Sequence, residues 1–146
     1  MSSKLRTIAD SLAAGLAAAT LPIAASVQRQ NWAHIDVDQM ANPVVFVTPG
    51  GADTTLIGRK VWQTDNTALV FVGRRVAVDA DVNAMFDLAD EIYRLIRSHS
   101  WGNTWPSGIT YPVNVAIDIN PDDALNERNV WRAIITATYR EISNDS

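Results

Sequence analysis

The chain has no cysteine, so no disulfide can staple it and no thiolate is available as a nucleophile or soft metal ligand. That fits a reducing compartment. Histidine is almost as scarce, with two in 146 residues, His34 and His99. Positive charge is not in excess either: the formal net charge is -4, whereas a free-standing nucleic-acid binder carries a basic footprint. No apolar run is long enough to cross a bilayer. Neither standard glycine-rich phosphate loop is present, because Gly50-Gly51 is followed by no Lys-Ser/Thr pair and no further glycine at the required distance. The dipeptide reads as a turn that ends a strand.

What the chain does contain is apolar patterning. An apolar fraction of 47% against 19% charged residues describes a packed domain rather than a disordered one. A length of 146 residues suits one domain, 1–146, that buries about two thirds of its unfolded surface without a staple. Five tryptophans are many for this length, and some of that aromatic surface is available to partners.

The organising stretch is Thr67 to Ile96. Leu69, Val70, Phe71 and Val72 form a short apolar run of strand-favouring types. Beyond Asp79 the period changes, and Val82, Met85, Phe86, Ala89, Ile92, Tyr93 and Ile96 recur at spacings of three and four, one face of a helix. Asp79 or Asp81 is expected to cap it, with acidic charge suited to that end of the dipole. The apolar face needs a cover, and a neighbouring sheet supplies one.

Upstream, Lys4 and Arg6 precede an alanine-rich run from Leu12 to Leu21 that loosely imitates a secretory signal. Asp10 interrupts it, and Leu5, Ile8, Leu12 and Leu16 fall at helical spacing, so the reading is an amphipathic first helix to about Ala19, stopped before Pro22. Ser26 to Trp32 reads as extended, Asp36 to Met40 as a helical turn, and Pro43 to Thr48 as a strand broken by Pro49-Gly50-Gly51. Thr55 to Gln63 and Thr67 to Val78 are expected to form an antiparallel hairpin around a polar turn, Thr64 to Thr67. Ser98 to Pro112 reads as a long aromatic loop, Val113 to Ile119 as an alternating strand with one wetter face, and Val130 to Ile142 as a last strand whose faces are Trp131, Ala133, Ile135, Ala137, Tyr139 and their even-numbered neighbours. The predicted class is α+β: an antiparallel or mixed sheet with a hairpin extension and two main helices on one face.

Candidate chemistry is thin. His99 stands between Ser98 and Ser100, but sequence neighbours seldom align for proton transfer, and a helix C-terminus by itself favours an imidazolium. His34 with Asp36 and Asp38 is a weak metal-ligand set. Asp118, Asp122 and Asp123 lack the spacing and glycine of a calcium loop. Each is read as structural or solvated, with no catalytic, cofactor or metal site expected. Arg59, Lys60, Arg74 and Arg75 fall on the arms of the predicted hairpin and could form a local basic patch; equally, charges on hairpin arms keep edges soluble. Trp101 and Trp105 either fold over the helix end or present a contact surface.

The order of blocks resembles the tail terminator proteins of long-tailed bacteriophages and their neck and tail-completion relatives. The blocks are the opening amphipathic helix, the Pro43 to Thr48 strand, the Thr67 to Val72 strand feeding the Asp81 to Ile96 helix, and the closing Asn129 to Arg140 strand. The resemblance implies a non-catalytic virion protein, assembled in the host cytoplasm. Six α+β subunits would form a ring that ends tail-tube growth and meets the head connector proteins. In contractile phages the ring can also hold the last sheath ring, and DNA passes through its lumen. A negative subunit suits a lumen in which DNA slides, since binding needs cations that release counterions. Arg59, Lys60, Arg74, Arg75, Trp101 and Trp105 are then the candidate contacts with neighbouring subunits or the tube. Three other readings stay open: a head-completion adaptor in the same neck, a small hydrolase or ligand-binding α+β domain, and a single-stranded nucleic-acid module, which the missing basic excess disfavours.

Overall fold

The structure is a computed structural model and describes residues 4–30, 42–76, 78–98, 112–119 and 130–144. The elements are α1 (Lys4–Ala18), β1 (Ser26–Arg29), β2 (Val44–Gly58), β3 (Val61–Arg75), α2 (Asp79–Arg97), β4 (Pro112–Ile119) and β5 (Val130–Asn144). The strands make one mixed sheet in the order β1-β2-β3-β5-β4. β1 runs parallel to β2, and every other pairing is antiparallel. This is an α+β fold with both helices packed against the sheet, as the period change at Asp79 requires.

The core lies between the helices and one sheet face. Ile8, Leu12 and Leu16 of α1 and Met85, Leu88, Ala89, Ile92 and Ile96 of α2 cover Val45 and Val47 of β2, Val70 and Val72 of β3, and alternate residues of β5. Of the two faces read in the last strand, the structure buries that of Trp131, Ala133, Ile135, Ala137 and Tyr139. The face of α2 is rotated from the expected one. Leu88 is buried, whereas Phe86 is 44% exposed, its ring set edge-on against the Trp131 indole with centroids 5.2 Å apart. The helix begins at Asp79, and its N-cap is Val78, whose side chain makes no cap hydrogen bond. Asp79 and Asp81 therefore sit in the first turn and act on the dipole rather than as caps. Arg29 bonds Asp10 at 2.9 Å, tying the short β1 to α1.

The hairpin is longer than expected, and its turn lies elsewhere. Pro49-Gly50-Gly51 does not end a strand; the register between β2 and β3 shifts by one residue between Pro49 and Ala52, which makes this stretch a β-bulge within β2. Thr64 to Thr67, expected as the turn, lies in the middle of β3. The chain reverses instead at Arg59-Lys60, with Gly58 opposite Val61 and Lys60 at φ 59°. Two features hid this. The turn lacks an Asn-Gly or Asp-Gly signature, and the polar run in β3 pairs on both sides, with β2 and with β5, rather than turning.

Beyond the bulge the two strands run on as a ribbon in which the β2 residues from Gly51 to Gly58 are all exposed. A two-stranded ribbon is marginal in water, and β5 adds the third strand, pairing Tyr139 through Asn144 with Asn66 back to Val61. Side chains support the ladder: Thr54 and Thr64 share a hydroxyl hydrogen bond at 3.1 Å, and the Arg140 guanidinium donates to both oxygens of Asp65 at 2.9 and 3.3 Å.

Tyr139 sits where ribbon meets core, and burial pushes its phenol pKa well above the ordinary tyrosine value. The folded chain therefore holds this proton at a pH where the unfolded chain, titrating near about 10, releases it. Its contribution is fully present below that pH and is lost progressively as pH rises from there toward the raised folded-state value. Urea melts at pH 8 and pH 11 should show a loss of stability that is smaller in Tyr139→Phe. An equal loss in both proteins would show that Tyr139 is not responsible.

Candidate contact surfaces

The basic residues singled out in the sequence do not form one patch. Lys60 and Arg74 are fourteen residues apart on or beside the same strand, which at about 3.4 Å per residue separates them by about 45 Å. Arg59 and Lys60 are exposed at the ribbon tip. Arg74 and Arg75 lie at the opposite end, where β3 turns toward α2. There Arg74 is half-buried and 3.6 Å from Asp81, so it fastens the first turn of α2 to the sheet. Arg75 is exposed. Trp101 and Trp105 lie outside the described residues, as do His34, Asp36, Asp38, His99, Ser100, Asp122 and Asp123.

The tip is the more distinctive of the two ends. Leu56 is 54% exposed, Ile57 51% and Ile142 52%, large apolar side chains beside two cations. Trp62, across the ladder from Leu56, is half-buried. The backbone edge is also open here: β1 pairs only with Val44 through Val47, so among the described residues no strand borders β2 from Thr48 to Gly58 on its outer side. Such an edge offers unpaired amide and carbonyl groups to another chain.

A second surface was missed in the sequence because Phe86 was assigned to the buried face of α2. Phe86, Asp87, Ala89 and Asp90 of α2 face Ile117 and Ile119 of β4 across a groove of about 320 Å³. Its floor is apolar. Asp87 and Asp90 are exposed, with no ion-pair partner among the described residues. By contrast, Glu91 on the same helix is engaged: a hydrogen bond from Arg94 holds its carboxyl below the usual carboxylate range. The signal available in the sequence was Asp90, four residues after Phe86 and three after Asp87, spacings that set it beside both on a helix.

Among the described residues there is no group of three or more histidines, cysteines or acids able to hold a metal ion, and no helix long and apolar enough to cross a membrane. The shallow depression lined by Leu16, Leu21, Ile23 and Val27 has an apolar lining among the described residues. No protein-family model matches the chain, and no curated protein matches it in sequence.

Proposed function

We propose that this protein is a structural virion subunit that assembles into a hexameric ring on the end of a bacteriophage tail tube, stops the tube growing and joins the tail to the head connector. The observation that carries this reading is the ribbon of β2, β3 and β5, which runs past the helix-covered core and ends in exposed Leu56, Ile57 and Ile142 beside an open edge of β2. On an isolated subunit such an edge is an aggregation hazard. In a closed head-to-tail assembly the same surface is covered. The block order that resembles tail terminators supports the reading. So does the net charge of -4, which suits a lumen that does not retain DNA. Of the candidate contacts, Arg59 and Lys60 fit best, since Arg74 is already committed to Asp81.

The test is to polymerise the cognate tail-tube protein with and without this protein and to measure tube lengths by electron microscopy. The expected result is shorter tubes, each with a ring at one end. Unchanged lengths with no bound ring would overturn the proposal. Binding to tail-less heads but not to tubes would assign the protein to the head-completion side of the neck instead.

A further inference from the structure

The tip and the groove are complementary, and they cannot meet within one molecule. The groove lies beside the row in which Ile117 of β4 is opposite Ile135 of β5, whereas the tip lies beside Asn144 of β5, opposite Val61. Nine residues of continuous ladder separate these rows, about 30 Å at the usual rise. The tip is also on the β2 side of the sheet and the groove on the β4 edge, with β3 and β5 between them. A hydrogen-bonded three-stranded ribbon does not fold back over that distance.

The two surfaces match in character. On one face of the ribbon the tip presents apolar Ile57 and Ile142, both about half exposed, beside the cations Arg59 and Lys60. The groove presents apolar Phe86, Ile117 and Ile119, rimmed by the acids Asp87 and Asp90. Apolar contact would cover side chains that otherwise face water, and the opposed charges would fix orientation and disfavour like pairings such as tip on tip. We propose that the ribbon tip of one copy seats in the α2–β4 groove of a second copy, Ile57 and Ile142 against Phe86, Ile117 and Ile119, with Arg59 and Lys60 on Asp87 and Asp90. The two patches differ, so the contact is heterologous and propagates head to tail, closing into a ring where the rotation permits. The inference rests on the ring proposed above and names the contact that would build it.

The test is a charge exchange read by sedimentation velocity. One double variant is Arg59→Glu with Lys60→Glu, the other Asp87→Lys with Asp90→Lys. All four residues are exposed, so circular dichroism and melting should match the parent. Each variant alone should be monomeric at concentrations where the parent associates, because its tip and groove now carry the same sign. Mixed one to one, the acidic tip of the first meets the basic groove of the second and the basic tip of the second meets the acidic groove of the first, so oligomers should return. A parent that associates while both variants associate equally well would overturn this interface and leave the ring reading standing. Loss of assembly in the variants without recovery in the mixture would also overturn it. A parent that stays monomeric at all concentrations would end this inference, while the tube-length measurement decides the ring separately.

Discussion

Trp131→Ala should cost about 3–5 kcal/mol of folding stability and lower the melting temperature by roughly 10 °C. Trp131 is fully buried near the start of β5, paired with Arg74 of β3 in register and lying under Phe86 of α2. Removing the indole empties a site bounded by sheet and helix together, and neither can collapse into it without disturbing the other. Against a typical total of about 5–15 kcal/mol, the loss should be visible as a displaced urea midpoint. Trp131→Phe should be milder. The indole N–H is buried with no hydrogen-bond acceptor among the described residues, so its removal relieves an unmet desolvation cost while most of the ring volume is kept. Trp62→Ala supplies the contrast, since Trp62 lies half-buried on the ribbon and away from the helices, and its loss should stay within about 1 kcal/mol. Equal losses at the two tryptophans would contradict the division into a helix-covered core and an uncovered ribbon.

Gly50→Val should destabilise the fold by about 1–3 kcal/mol, with the damage concentrated in the ribbon. A Cβ at Gly50 would lie 2.8 Å from the Thr67 carbonyl oxygen and 3.1 Å from the Thr67 methyl. The nearer atom is backbone of the paired strand, so it cannot swing aside as a flexible side chain would. The adjoining Gly51 has nothing within 4 Å of the same construction, and Gly51→Ala should change stability by less than about 0.5 kcal/mol. Amide hydrogen exchange separates global from local loss: in Gly50→Val the amides from Ala52 to Val61 should exchange faster than those of Val70 and Val72. Matching behaviour of the two glycine variants would show that the close approach at Gly50 does not govern the bulge.

The two glycines show how far local reading goes. In sequence, Pro49-Gly50-Gly51 carries every mark of a chain break, and only the partner strand reveals that the extra residue is absorbed without ending the pairing. The polar run Thr64 to Thr67 misled for the related reason that four polar residues in a row read as a turn, whereas in the fold they pair with strands on both sides, Asn66 buried and the others half-buried. At the candidate contacts, sequence marked Arg59 and Lys60, which the fold places at a tip, and grouped them with Arg74 and Arg75, which the fold places at the far end of the same strand. The groove around Phe86 escaped notice because helical spacing permits two neighbouring faces, and packing against Trp131 and β4 chose between them.

Sequence by itself determined the class of this protein. The change from an apolar strand run to spacings of three and four beyond Asp79, the strict alternation of Trp131 through Tyr139 and the small apolar face of the first helix are enough to specify two helices laid on a sheet, because an apolar face is stable only when another layer covers it. Tertiary structure alone decided where β2 and β3 reverse, how far they outrun the core, and which surfaces lie too far apart to touch. Those outcomes depend on register between strands distant in the chain, and no single segment encodes the partner against which it will be aligned.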